Sequence, residues 1–143
     1  GFPLLEEGDL LLADASEDYE GLGASIEIKN IGNKKIVAGL HTLLLRGDKN
    51  ILVDGFKGYI REMPCLKDSL IRIATGISVY GISKTQLRNI EIKIPQIPEQ
   101  TAIAEILSDM DTEIESLEQK LEKYKKIKHG MMQELLTGRT RLI

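Results

Sequence analysis

The chain has 143 residues, of which 42% are hydrophobic and 29% charged, and this composition predicts one domain with a modest core, or a smaller domain with an extension. Its formal net charge of −3 at pH 7 excludes only a grossly basic nucleic-acid binder. One cysteine excludes an internal disulfide framework and a cysteine-rich zinc site, and the absence of a signal peptide or of ~18 consecutive apolar residues predicts a cytoplasmic protein.

The first fifty residues predict a small sheet. Four segments have the composition of strands: 9–13, 26–28, 36–38 and 41–46. Acidic, glycine-rich or turn-forming segments separate them and predict loops: 14–25, 30–35 and 47–50.

The next forty residues predict three helices and a strand. Leu66, Leu70 and Ile73 have helical spacing behind Pro64, and Gly76 fits a C-terminal stop. Asp54 could cap a shorter helix that reaches Met63. Ser83 and Gln86 match a capping box in front of a helix at 84–89, and the alternation of Ile90–Ile94 predicts a strand.

A long helix follows a proline-flanked boundary, and we expect four parts: a compact domain 1–94, a linker 95–98, a helix 99–137 and a tail 138–143. Apolar residues recur along the helix in steps of three and four, which is a heptad pattern with one missed position at Lys128. We call these residues the seam: Ile103, Leu107, Met110, Ile114, Leu117, Leu121, Tyr124, Met131 and Leu135.

The seam needs a partner, because a helix of this length, about 57 Å, is not stable with an apolar stripe in water. The alternative is that the helix folds over its own domain. The compact part is too small to cover the whole stripe, so the sequence favours a second helix.

Charge is unevenly distributed along the compact part. Residues 1–28 hold eight acids and no base, whereas residues 29–93 hold twelve bases and five acids, a net of +7. The basic middle predicts a surface for a polyanion, or else an ordinary surface complemented by the acidic segment.

Catalytic motifs are not evident. His41, His129 and Cys65 lie on separate segments, and Gly21-Leu22-Gly23 lacks the third glycine of a dinucleotide loop. We see neither a phosphate-binding lysine motif nor a Pro-Pro-Tyr motif of amino-methyltransferases. The sequence therefore predicts no catalytic site, no cofactor and no metal.

Several segments together resemble the specificity subunit of type I restriction–modification enzymes. Residues 74–95 resemble the closing motif of its target-recognition domain, with Ile-Ser-Lys, Leu-Arg-Asn and an apolar segment that ends in proline. Residues 97–107 and 131–138 resemble the start and end of its spacer helix. Residues 7–13 and 39–46 are similar to two central strands.

The resemblance implies an α+β fold: a small mixed α/β target-recognition domain, which here starts late in the family pattern, followed by one long coiled-coil helix. Family members hold two recognition domains apart with an antiparallel helix pair, and each domain binds half of a split double-stranded DNA site. Methyltransferase subunits and a motor subunit supply the chemistry. This chain is then expected to pair with a second copy or with the other half of a full subunit.

Two sets of residues are candidate DNA contacts, although each is equally typical of an ordinary surface. Phosphate contacts are expected from Lys34, Lys35, Lys57, Lys84 and Arg88. A loop that closely approaches DNA is expected to contain Thr75, Gly76, Ser78 and Tyr80.

Two other classes of function remain open. A scaffold protein would use the coil to bind a protein and would not bind DNA. An autonomous DNA-modifying enzyme would bind S-adenosylmethionine, which we do not expect of this chain.

Overall fold

The computed structural model describes residues 3–143, so residues 1 and 2 of the predicted domain lie outside the described part. Contacts divide the chain into two units, of which the first ends at Glu105 and the second comprises Ile106–Ile143. Small antiparallel sheets and helices make up the first unit, which confirms the predicted α+β class. Within the described residues, no helix combines the length and hydropathy needed to cross a membrane.

A three-stranded antiparallel sheet forms the centre of the first unit. Its strands are β1 (Leu10–Ala13), β3 (Ser25–Glu27) and β4 (Thr42–Leu45), in the order β3-β1-β4. Leu10 lies opposite Glu27 and Leu45 in the two ladders. Because side chains alternate across a strand, Leu10 and Leu12 share the buried face of β1.

A second sheet was not predicted. The two-residue strands β2 (Ala15–Ser16) and β5 (Tyr80–Gly81) pair antiparallel, so the predicted loop 14–25 contains a strand. The predicted strand at 36–38 is wrong, because Val37 forms only an isolated bridge with Leu4. The side chains of Ile36 and Val37 are 41% and 49% exposed, so this segment buries little of the apolar surface that would favour a strand.

The short helices agree with local signals in two places out of three. Helix α1 (Pro64–Ile73) begins with the proline at its first position, and α2 (Lys84–Leu87) begins behind the complete capping box of Ser83 and Gln86. The predicted cap at Asp54 is wrong, since the 3-10 helix η1 (Lys57–Glu62) begins after Phe56 without a side-chain cap.

Gly76 does not end α1. The helix ends at Ile73, and Ala74 follows in an extended conformation. The Ile71 carbonyl accepts a hydrogen bond from the Ala74 N–H, so a backbone donor satisfies this carbonyl at the end of the helix.

The core lies between the sheet and the helices. Its fully buried members are Leu10, Leu12, Leu22, Ile60, Leu66, Leu70 and Ile82. Ile90, Ile92 and Ile94 pack against this cluster, yet the strand predicted there is wrong, because no described strand pairs with 90–94. The alternation correctly indicates which side chains face the core, but the backbone of this segment forms no hydrogen-bonded ladder.

Helix α3 (Ile97–Leu136) spans 40 residues. It begins inside the segment expected to be a linker, because proline at the second helical position lacks only an N–H that has no intrahelical partner there. Gly138, with φ of 73°, follows its end and donates its N–H to Leu135, as expected of a glycine stop.

Candidate nucleic-acid interface and helix seam

Four of the five predicted phosphate-binding side chains are exposed. Lys34 and Lys35 follow a turn at Gly32 and Asn33, and Lys84 and Arg88 lie one helical turn apart on and just after α2. None of the four forms an ion pair within the part of the chain that the structure describes. Their positive charges are therefore available to a polyanion.

Lys57 is a correction, because its side chain is only 2% exposed. Its Nζ donates to the Gly8 carbonyl at 2.6 Å and pairs with Asp54 Oδ1 at 2.5 Å. An ammonium enclosed in this way supports the fold and cannot reach a phosphate. The sequence signal for this role was Asp54, three residues before it.

Asp54 accepts from two lysines. Burial raises the pKa of its carboxyl, but hydrogen bonds from Lys49 and Lys57 outweigh burial and hold the pKa below its ordinary value. Lys49 reaches Asp54 Oδ2 at 2.6 Å and the Glu7 carbonyl at 3.1 Å. The cluster fixes the segment before η1 to the start of β1.

Sequence reasoning missed the pair of Asp9 and Arg46. Arg46 donates through Nε and Nη2 to the two carboxylate oxygens of Asp9, both at 2.7 Å, and Asp9 is 2% exposed. The Arg46 hydrogen bond lowers the pKa of Asp9 more than burial raises it. The same guanidinium also binds Glu6 and the Leu4 carbonyl, so Arg46 closes the N-terminal segment over the sheet.

The predicted DNA-contacting loop is a closed structure. Thr75 and Gly81 exchange two backbone hydrogen bonds, of 3.0 and 2.8 Å, at its base. Thr75, Gly76 and Ser78 are exposed, as is Ile77 at 94%.

Tyr80 packs against a tyrosine of the acidic segment 17–20. Its ring stacks on Tyr19 with centroids 4.0 Å apart, and Tyr19 lies among Glu17, Asp18 and Glu20. Neighbouring carboxylates repel phosphate, so Tyr80 is a weaker candidate for a backbone contact than the basic side chains are.

Gly76 gives the first testable prediction. Its φ is 125°, and a Cβ there would lie 1.9 Å from the Val79 carbonyl oxygen. We expect Gly76→Ala to lower the free energy of unfolding by about 1–3 kcal/mol, because a strained conformation must relax by moving backbone. Urea denaturation followed by circular dichroism measures it.

Gly130→Ala is the matched control. Apart from the adjacent residues and the backbone of α3 itself, no described atom lies within 4 Å of a Cβ at this position, so alanine there should stabilise the helix by about 1 kcal/mol. Equal effects of the two substitutions would contradict the role assigned to Gly76.

An apolar cavity of about 380 Å³ lies within the first unit. Most of its lining is leucine and isoleucine from the sheet, η1 and residues 87–92, and five basic side chains also border it: Arg46, Lys57, Arg61, Lys84 and Arg88. The apolar part of this lining does not match the polar edge of a base. The described residues hold no cluster of three or more His, Cys, Asp or Glu that could bind a metal ion.

The seam residues lie along α3. Six of them are between 52% and 58% exposed: Met110, Ile114, Leu117, Leu121, Tyr124 and Met131. Ile103, Leu107 and Leu135 are half-buried. Ile106, Ile127, Met132 and Leu136 are exposed apolar residues of the same helix that the sequence analysis did not assign. The stripe is therefore uncovered in the single chain.

Comparison with known proteins identifies the family. Residues 4–126 match the family described as type I restriction modification DNA specificity domain. Two similar proteins, both from Methanocaldococcus jannaschii, are the putative type I restriction enzyme MjaX specificity subunit, 33% identical over 91% of this chain, and the type I restriction enzyme MjaVIII specificity subunit, 33% identical over 94%. The chain spans 30% and 29% of their lengths. It belongs to the family of type I restriction modification DNA specificity domains.

Proposed function

We propose that this chain is a sequence-specific DNA-recognition component of a type I restriction–modification system. Residues 1–94 form its recognition domain, and 99–137 form a spacer helix that pairs with a second copy or with the other half of a full specificity subunit. Paired helices hold two recognition domains at a fixed separation on a split DNA site. The observation that carries the proposal is the exposed heptad seam of α3.

The seam has enough apolar surface to stabilise a pair. Full burial of one large apolar side chain contributes about 1.5–3 kcal/mol, so six side chains that are each about half exposed contribute several kcal/mol per helix. Between Ile103 and Leu135, Lys128 is the one polar residue at a position of the heptad seam, where such a residue selects register at a cost in stability.

Charges beside the seam favour an antiparallel pair. In a parallel pair in register, Glu113 would face Glu118 of the second copy, and Lys120 would face Lys125, each twice by symmetry. These like charges oppose parallel association.

An antiparallel pair can match eight of the nine seam residues with one another, and the ninth, Met110, then lies opposite the missed position at Lys128. Leu117 then packs against Leu121 of the second copy, and Ile114 against Tyr124. Asp111 then lies beside Lys125 of the other helix, so opposite charges attract where a parallel pair would place Lys125 beside Lys120. Glu118 and Lys120 meet their own copies once each at the centre.

Two-fold symmetry then predicts the DNA target. Two identical recognition domains related by a dyad require a gapped site with symmetric halves. The exposed side chains of Lys34, Lys35, Lys84 and Arg88 contact phosphates, and the loop at Thr75, Gly76 and Ser78 approaches the groove. Methyl transfer and DNA cleavage belong to methyltransferase and motor subunits that dock on this component, which is itself not an enzyme.

Salt dependence of DNA binding tests the proposal. Four phosphate contacts per copy give a slope of log affinity against log salt of about −3.6, so affinity for random-sequence double-stranded DNA should fall about 100-fold or more between ~50 and ~200 mM salt. Fluorescence anisotropy with the full chain measures this slope.

A double variant locates the contacts. Lys84→Gln with Arg88→Gln should reduce the slope by about 1.8 per copy, because two phosphate contacts are lost. Lys123→Gln with Lys126→Gln, two exposed lysines on the outer face of α3, should leave it unchanged. Salt-independent binding, or no binding, would favour the scaffold function instead.

A further inference from the structure

The cavity of the first unit combines the volume of a small-molecule site with charge of one sign. Its volume of about 380 Å³ lies within the range of about 300–1,000 Å³ that is typical of ligand pockets. Every described lining residue belongs to the first unit, and five of them are Lys or Arg whereas none is Asp or Glu. An apolar cavity with such a border is complementary to an amphipathic anion.

Three of the five cations already have carboxylate partners outside the lining: Arg46, Lys57 and Arg61. The other two, Lys84 and Arg88, form no ion pair with any described residue. The positive charge that is available to a ligand therefore lies at α2.

Lys84 and Arg88 lie where the cavity meets solvent, because both side chains are exposed and both border it. They are four residues apart on and just after α2, a spacing that places their Cβ atoms about 5–6 Å from each other on one face. Leu87 lies beside them and also lines the cavity. Cations and apolar wall are thus adjacent on one short segment.

The interior of the cavity is mainly aliphatic. Leu12, Leu45 and Ile60 line it from the sheet and η1, and Ile90 and Ile92 line it from the segment after α2. At about 30 Å³ for a group the size of a water molecule, this volume holds a chain of about ten such groups. Aliphatic walls would desolvate the polar atoms of a base or a sugar without bonding them, so they favour an alkyl chain.

We propose that this cavity binds an aliphatic monocarboxylate of about eight carbons, whose chain packs against the leucine and isoleucine walls and whose carboxylate pairs with Lys84 and Arg88. The two carboxylate oxygens can accept from two neighbouring cations, and charge-assisted hydrogen bonds are stronger than neutral ones. Each methylene that leaves water favours binding about fourfold. A ligand that binds only the folded chain also raises its thermal stability.

Calorimetric titration of the full chain with octanoate tests the site. We expect saturable binding, which should be about 15-fold weaker for hexanoate because two methylenes are lost. 1-Octanol has the same chain without the charge and should bind about tenfold more weakly than octanoate, since two exposed ion pairs are lost. No saturable binding of octanoate, or equal affinities for octanoate and 1-octanol, would overturn the proposal.

Charge variants locate the carboxylate. Lys84→Gln with Arg88→Gln should weaken octanoate about tenfold and leave 1-octanol unchanged, whereas a loss of structure would weaken both. Lys123→Gln with Lys126→Gln, outside the lining of this cavity, should leave both affinities as in the parent. Equal octanoate affinities in the two double variants would contradict pairing with Lys84 and Arg88.

Larger wall side chains locate the alkyl chain. Leu45→Phe and Leu52→Phe each enlarge the wall from a different segment and should weaken octanoate and 1-octanol together. Leu40→Phe, at a position that is 87% exposed and outside the lining, should bind both as the parent does. Circular dichroism confirms that each variant keeps the secondary structure of the parent. Full octanoate affinity in both wall variants would mean that the chain binds elsewhere.

Competition with DNA is a consequence that rests on the proposed function, because the carboxylate and a phosphate would use the same two cations. Saturating octanoate should reduce the slope of log DNA affinity against log salt by about 1.8 per copy. Butyrate at the same concentration controls for added salt, since it should bind about 200-fold more weakly than octanoate. An unchanged slope would overturn the competition. If the chain binds no DNA, the proposed function is wrong, while the calorimetric titrations still decide the cavity.

Discussion

Replacement of Leu117 and Leu121 by aspartate is expected to convert the chain from a dimer into a monomer. In the proposed antiparallel pair the two leucines face each other at the centre, so the double variant places four carboxylates in the seam. Loss of one packed leucine costs about 2–5 kcal/mol, and a buried, unpaired carboxylate adds a large desolvation cost. A total above about 5 kcal/mol raises the dissociation constant about a thousandfold or more. Sedimentation velocity across a concentration series measures the shift.

The control places the same charges on the opposite face of the helix. Ser116→Asp with Gln119→Asp adds two carboxylates at exposed positions outside the seam and should leave the dimer intact. An unchanged sedimentation coefficient for the leucine double variant would show that another surface holds the copies together. A monomeric parent chain at micromolar concentration would remove the basis for pairing two copies.

Local signals predicted the starts of α1 and α2. The hydroxyl of Ser83 accepts from the Gln86 N–H three residues later, and Pro64 begins α1 with the φ that its ring imposes. These interactions span three or four residues, so the sequence contains them completely. The seam was predictable for the same reason, since heptad spacing is a property of one helix.

Predictions that depend on distant partners were less successful. Ile90–Ile94 alternates as a strand does, but a ladder requires a second strand, and alternation alone does not supply one. Ala15–Ser16 has no strand pattern and becomes a strand because Tyr80–Gly81 lies beside it. Packing against the rest of the fold decided both cases, as it commonly does for short strands.

The candidate site shows the same difference between features set by neighbouring residues and features set by distant partners. Exposure of Lys84 and Arg88 follows from the short helix that carries them, whereas burial of Lys57 depends on Gly8, 49 residues away. Gln100 finds its partner Val53 at a separation of 47 residues, and its neighbours in sequence give no sign of that contact. The side chains that are buried by distant partners are therefore less predictable than the exposed candidate contacts.

Removal of the Arg46 guanidinium is expected to cost about 2–3 kcal/mol of the free energy of unfolding, which is less than for a fully buried pair because the Arg46 side chain is 43% exposed. Arg46→Met keeps an unbranched apolar stem but leaves the Asp9 carboxylate buried, with the Glu6 N–H as its remaining donor in the described hydrogen bonds. Removal of the partner of a buried carboxylate leaves the desolvation cost of that carboxylate uncompensated. Arg139→Met is the control, because its pair with Glu134 is exposed on both sides and contributes at most about 1 kcal/mol.

The dependence on pH separates the charge from the packing of Arg46. In the parent, Arg46 holds the pKa of Asp9 below its ordinary value, so this stabilisation is complete above about pH 4 and is lost as the pH falls through the lowered pKa. In Arg46→Met, burial should raise the pKa of Asp9 above its unfolded value, and stability should fall as the pH rises through it. Urea denaturation should therefore show the largest difference between the two proteins near neutral pH and a smaller one below about pH 4. A difference that stays constant with pH would mean that Arg46 acts through the packing of its stem and not through the carboxylate.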